Sequence, residues 1–60
     1  MDKLIEIKTT DGTTTYINPR YIMSIFNDMD GEGVIRMSNE IRYRTKENAL
    51  QIANKVGFTR

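Results

Sequence analysis

The side chains that carry most enzyme chemistry are absent or scattered in this chain. It has no His and no Cys, which removes the usual general base near neutral pH, the thiolate nucleophile and the ligands of an ordinary zinc site. The serines are Ser24 and Ser38. One falls inside a strand pattern and the other in a turn, and each has an ordinary structural reason to be there. Asp28 and Asp30 could form a carboxylate pair, but the run Asp28-Met29-Asp30-Gly31-Glu32-Gly33 has the composition of a solvated loop. Aligning Gly31 with the invariant glycine of a calcium loop puts Phe26 at the first ligand position and Met37 at the last, and neither can bind calcium. The chain therefore reads as a binding protein without a catalytic residue, a metal or a cofactor.

The residues best suited to binding are cationic. Arg36, Arg42, Arg44 and Lys46 crowd into eleven positions. A guanidinium is a planar fork of donors that fits a carboxylate or a phosphate, and so suits a protein surface, a small anion or a nucleic acid. The competing reading is a solvated outer face, partly neutralised by Glu40 and Glu47 or by a second copy of the chain. Tyr16 and Tyr21 could offer stacking surface to bases, although strand packing also favours aromatics at such places.

Whether the arginines converge depends on the elements that carry them. Eight Ile against two Leu favour strands, because β-branched side chains suit a pleated surface. Leu4–Lys8 and the residues after Thr10-Asp11-Gly12 form a hairpin pattern, with Gly12 free to take positive φ. A three-residue loop sets Ile5 opposite Ile17 and Ile7 opposite Thr15, gathering the apolar side chains on one face. At Asn18-Pro19 the second strand ends, and Asn18 can cap a short helical turn through Arg20. A third strand spans Tyr21 to Asn27, with Ile22 and Phe26 on one face and Met23 and Ile25 on the other. That two-sided pattern predicts a central strand or one covered by another subunit.

Strands Val34–Ser38 and Ile41–Arg44, joined through Ser38-Asn39-Glu40, pair Met37 with Ile41 and Ile35 with Tyr43. The opposite face then holds Val34, Arg36, Arg42 and Arg44. The last segment predicts a helix with Thr45 as N-cap, Glu47 in its first turn and Lys46 beside the arginines. Ala49, Ile52, Ala53 and Val56 make an apolar stripe that Leu50 widens. Gly57 is placed to stop the helix, with Phe58 folding back onto Ala53. The predicted fold class is α+β: a small twisted antiparallel sheet of about five short strands, able to curl into a partly open barrel, and one C-terminal helix. Residues 1–60 make a single domain.

The order of these signals resembles the small flagellar protein FlbD family. An Asp-Gly hairpin comes first, then Ile17-Asn18-Pro19-Arg20-Tyr21-Ile22-Met23-Ser24-Ile25, a Gly-bounded strand pair and a short closing helix. Short phage-encoded proteins are built similarly. The likeness covers roughly residues 4 to 56. It implies a fold and offers no catalytic residue, and the acidic loop and the arginine-rich hairpin depart from the family's pattern.

Size and charge bear on partners. A chain of 60 residues buries only about 60% of the surface exposed when unfolded. A core of this size rarely supplies more than about 3–5 kcal/mol. With disulfides and zinc ruled out by composition, self-association is the remaining common support, and a homo-oligomer is expected. Residues 1–30 carry three cations against five carboxylates, net −2, while residues 31–60 carry six against three, net +3. Such a chain can pair with itself or turn its basic half to an anion. The absence of Cys, of a signal-peptide pattern after Met1-Asp2-Lys3-Leu4, and of any long apolar run predicts a cytoplasmic protein with no membrane partner. The reading is a non-catalytic, homo-oligomeric regulatory or interaction module for a protein partner or a small anionic ligand. A small RNA- or DNA-binding module using the arginine hairpin is the alternative.

Overall fold

In the computed structural model, residues 3–57 are described. Five strands and one helix follow in the order β1 (Ile5–Lys8), β2 (Thr14–Ile17), a 3-10 turn (Pro19–Tyr21), β3 (Ile22–Asn27), β4 (Gly33–Met37), β5 (Arg42–Arg44) and α1 (Ala49–Val56). The α+β class holds, with the strands divided between a hairpin β1-β2 and a three-stranded antiparallel sheet β3-β4-β5. The two sheets touch through one bridge between Thr9 and Thr45 and a hydrogen bond from Thr10 N–H to Arg44 C=O of 2.9 Å. That junction stops short of closing a barrel.

The first hairpin forms as its sequence dictates. Ile5 lies opposite Ile17 and Ile7 opposite Thr15, and Gly12 takes φ 91° at the end of the three-residue loop. Inside that loop the Thr9 hydroxyl donates to Asp11 Oδ1, which also accepts from Thr13 N–H at 3.0 Å. These donors, that of Thr9 first, hold the Asp11 carboxyl below its ordinary value. A depressed carboxyl stabilises the fold above the pKa of the unfolded chain, and the contribution disappears as pH falls through the lower, folded value. Acidification below the ordinary carboxylate range should therefore loosen this turn. In Asp11→Asn the acid-linked part of that loosening should vanish. Following the Thr13 amide resonance against pH tests this, and identical acid profiles for the two proteins would contradict it.

Asn18 caps the 3-10 turn, its Oδ1 accepting from Arg20 N–H at 2.9 Å. Beyond it β3 departs from the predicted pattern. A bulge between Ile22 and Ser24 inserts an extra residue, which reverses the alternation on one side of Met23. Ile22 and Ile25 consequently share the core face, opposite Met37 and Ile35, while Met23 and Phe26 are exposed. The predicted pairings of Ile22 with Phe26 and of Met23 with Ile25 are both overturned. Nor is β3 central, since it forms one edge of its sheet.

The core lies between the hairpin, the helix and one face of the sheet. Ile7, Ile17, Ile35, Met37 and Ile52 are buried, with Ile5, Ile22, Ile25 and Tyr43 packed against them. The helix begins later than predicted. Asn48, not Thr45, is the N-cap, and it forms a reciprocal box with Gln51: Gln51 N–H donates to Asn48 Oδ1 and Asn48 N–H to Gln51 Oε1, both at 2.9 Å. Glu47 accordingly precedes the helix. Ala49 N–H, one of the donors left open at a helix start, donates to the Asn27 side chain at 2.7 Å. Ile52 is fully buried and Ala49, Ala53 and Val56 are half-buried, but Leu50 is 63% exposed and does not widen the stripe. Gly57 ends the helix at φ 83°. Phe58 lies outside the described residues. Among those residues no helix is long and apolar enough to cross a membrane.

Candidate functional site

The core face of the sheet is covered, and its other face carries the arginines. Two cross-strand rows make up that outer face: Ser24, Arg36 and Arg42 in one, Phe26, Val34 and Arg44 in the next. The predicted register through Ser38-Asn39-Glu40 is therefore present. Met37 N–H donates to Ile41 C=O at 2.8 Å, and Ile35 faces Tyr43. The loop uses the same geometry as the first hairpin, with its third residue in the left-handed region. Here that residue is Glu40, at φ 73°. Asn39 stabilises the loop by accepting from Ile41 N–H at 3.1 Å.

The three arginines are held differently. Arg36 Nη2 lies 3.1 Å from Glu40 Oε1, while its buried Nε has no hydrogen-bond partner among the described residues. Arg44 Nε lies 3.1 Å from Asp28 Oδ2. Asp28 also organises the acidic loop, its Oδ1 accepting from Asp30 N–H at 2.9 Å and Glu32 N–H at 3.0 Å. Carboxylate oxygens of Asp28, Asp30 and Glu32 come within 4.8 Å of one another. Asp28 is already engaged there by backbone donors and by Arg44, which explains the loop as a turn locked to β5. Arg42 is exposed, and no ion pair among the described residues engages it.

Two shallow hollows flank Arg42 and Arg44. One, of about 380 Å³, is lined by Val34 and Phe26 together with Thr10, Asp28 and the two arginines. The other, about 290 Å³, lies toward the hairpin and is lined by Thr9, Asp11, Thr13, Tyr43 and the same two arginines. Val34 is only 6% exposed despite facing outward, so the hollow combines a buried apolar side chain with two cationic ones. Lys46 lines a different hollow of about 310 Å³ with Glu6, Lys8, Glu47 and Lys55. There Lys55 Nζ pairs with Glu47 at 3.0 Å. The structure thus brings Arg36, Arg42 and Arg44 onto one face and gives Lys46 other neighbours, because the helix begins at Ala49, three residues later than a Thr45 cap would set it.

Several positioning residues escaped the sequence reading. Gly33 read as a loop residue, yet it is buried. Its N–H donates to Glu47 C=O at 2.6 Å, and its C=O accepts from Thr45 N–H at 2.8 Å. Thr45 is 1% exposed, and its hydroxyl lies within hydrogen-bond distance of Gly33 C=O (3.2 Å) and Glu47 C=O (3.0 Å). Together they clamp β4 to the segment entering α1. The clamp had no local signal, whereas the capping box did: Asn48-Ala49-Leu50-Gln51 has the spacing of one. Comparison with protein-family models, with curated proteins and with solved structures found no match, so function is argued from the site itself.

Proposed function

We propose that the chain is a non-catalytic, self-associating interaction module, and that the outer face of β3-β4-β5 binds an acidic segment of a protein partner. The observation that carries this reading is the hollow that brings the apolar Val34 and Phe26 together with Arg42 and Arg44. A carboxylate can meet the guanidinium of Arg42 while an adjoining apolar side chain covers Val34 and Phe26, which is the mixed chemistry of an acidic peptide. A phosphate backbone needs an unbroken cationic track. Here Glu40 and Asp28 occupy Arg36 and Arg44, and Asp11 and Asp28 line the two hollows. That arrangement favours a protein over RNA or DNA.

Binding of a synthetic peptide of alternating Glu and Leu, set beside a single-stranded oligonucleotide, tests the reading. The peptide should bind at moderate salt, and Arg42→Ala should weaken it by about tenfold, since a hydrogen bond to a charged group contributes about 1.5–3 kcal/mol. Adding Arg44→Ala should weaken it further. Arg42→Ala should leave the melting temperature nearly unchanged, because an exposed side chain usually contributes within about ±0.5 kcal/mol. Equal peptide affinity for wild type and the double variant would overturn the proposal. Oligonucleotide binding that is tighter, and that falls steeply with salt, would assign the face to nucleic acid instead.

A further inference from the structure

The edge of β3 is a second surface with a definite geometry. Both hydrogen-bonding groups of Gly33 point toward Glu47 and Thr45, so its cross-strand partner Asn27 has no ladder bonds to β4. In an antiparallel pair such positions alternate. Asn27 and Ile25 therefore turn their N–H and C=O groups toward the open edge, where none of the loop, turn and cap hydrogen bonds among the described residues reaches them. The strand Ile22–Asn27 contains no charged residue in a chain with nine cationic and eight acidic side chains. Edges are ordinarily blunted with charge or a bulge; this one carries no charge, and its bulge at Met23 lies to one side of Ile25 and Asn27. Exposed Tyr21, Met23, Phe26 and Met29 lie along or beside it.

We infer that two copies of the chain pair antiparallel along β3, on a two-fold axis at Phe26, to form one six-stranded sheet. This inference specifies the self-association in the proposed function and rests on it. An axis there sets Ile25 opposite Asn27 of the second copy, so each strand's two outward donors meet two outward acceptors. Phe26 then faces its own counterpart on the outer surface as a non-hydrogen-bonded pair, the arrangement that brings side chains closest. The same register sets Ser24 beside the second copy's Asp28. On this face Ser24 continues to Arg36 and Arg42, so the acidic loop of each copy approaches the arginine row of the other. The acidic loop and the arginine row meet twice by symmetry. A second copy is thus the occupant that matches both the strand's hydrogen-bond pattern and the charges of the loop and sheet face beside it.

Amide exchange on the unmodified chain tests the geometry. With rising protein concentration the Ile25 and Asn27 amides should slow by about tenfold or more, while amides at the free edge of β2 stay unchanged. The chain lacks cysteine, so Phe26→Cys supplies a single thiol. Air oxidation should link it to its counterpart efficiently, since directly opposed strand positions fall within the Cα spacing a disulfide needs. Tyr16→Cys on β2 should link poorly. A sedimenting monomer at every concentration would overturn this pairing together with the self-association it rests on. A dimer whose Ile25 and Asn27 amides still exchange freely, or which crosslinks better through position 16, would overturn the β3 pairing alone.

Discussion

Replacing Gly33 by alanine should leave the domain largely unfolded at room temperature. A β-carbon at this position would lie 2.5 Å from the Glu47 carbonyl oxygen, 2.5 Å from Ile52 Cδ1 and 2.9 Å from the Asn48 carbonyl carbon. Ile52 can turn part of the way aside. The two backbone atoms cannot, because Glu47 C=O is the acceptor for Gly33 N–H at 2.6 Å and Asn48 is the cap of α1. Overpacking a well-filled site costs about 1–3 kcal/mol and sometimes more, and this contact lies at the upper end because the helix start itself must move. A domain of this size has at most about 3–5 kcal/mol to lose. Urea denaturation read by circular dichroism measures the effect, and a wild-type midpoint for Gly33→Ala would show that β4 and the helix entry are not clamped as described.

Ile52→Ala is the second large effect. Ile52 is the helix residue that is fully buried, in a cluster with Ile7, Ile17, Ile35 and Met37. That cluster joins the hairpin, the sheet and the helix, so a cavity there is lined by rigid elements on three sides. Such truncations cost about 2–5 kcal/mol, the larger values where the surroundings cannot collapse. The variant should have lost its cooperative thermal transition or show one at a much lower temperature. The neighbouring Leu50→Ala, at an exposed position, is the control and should melt like wild type. Equal melting of all three proteins would mean that the helix does not seat Ile52 in the core.

Where the sequence was legible, local chemistry and side-chain period agreed. The Asp-Gly turn and the isoleucines around it fix the first hairpin's register, and Asn18-Pro19 marks its end. Met37, Ile41, Ile35 and Tyr43 likewise fix the second register and carry the arginines to the outer face. Misreadings arose where one residue of offset mattered. The bulge at Met23 adds a residue that periodicity does not reveal, and it alone moves Ile25 into the core and Phe26 out of it. Thr45 looks like a cap because its hydroxyl suits one, but burial against Gly33 uses that hydroxyl across the chain. Starting α1 at Ala49 rather than just after Thr45 is what leaves Lys46 among Lys8, Glu47 and Lys55. Close packing at Gly33 has no trace in its neighbours in sequence, since the atoms it meets belong to Glu47, Asn48 and Ile52, 14 to 19 positions away.

The side-chain Nε–H resonances of Arg36, Arg42 and Arg44, followed by NMR during titration with the Glu-Leu peptide, test the proposed site most directly. Arg36 and Arg44 begin held by Glu40 and Asp28, and Arg42 begins solvated. The Arg42 signal should move first and furthest, accompanied by the backbone amides of Val34 and Phe26, which line the same hollow. Movement confined to the neighbourhood of Lys8, Lys46 and Lys55, or an Arg42 signal that does not respond while the peptide binds, would contradict the assignment of function to this face.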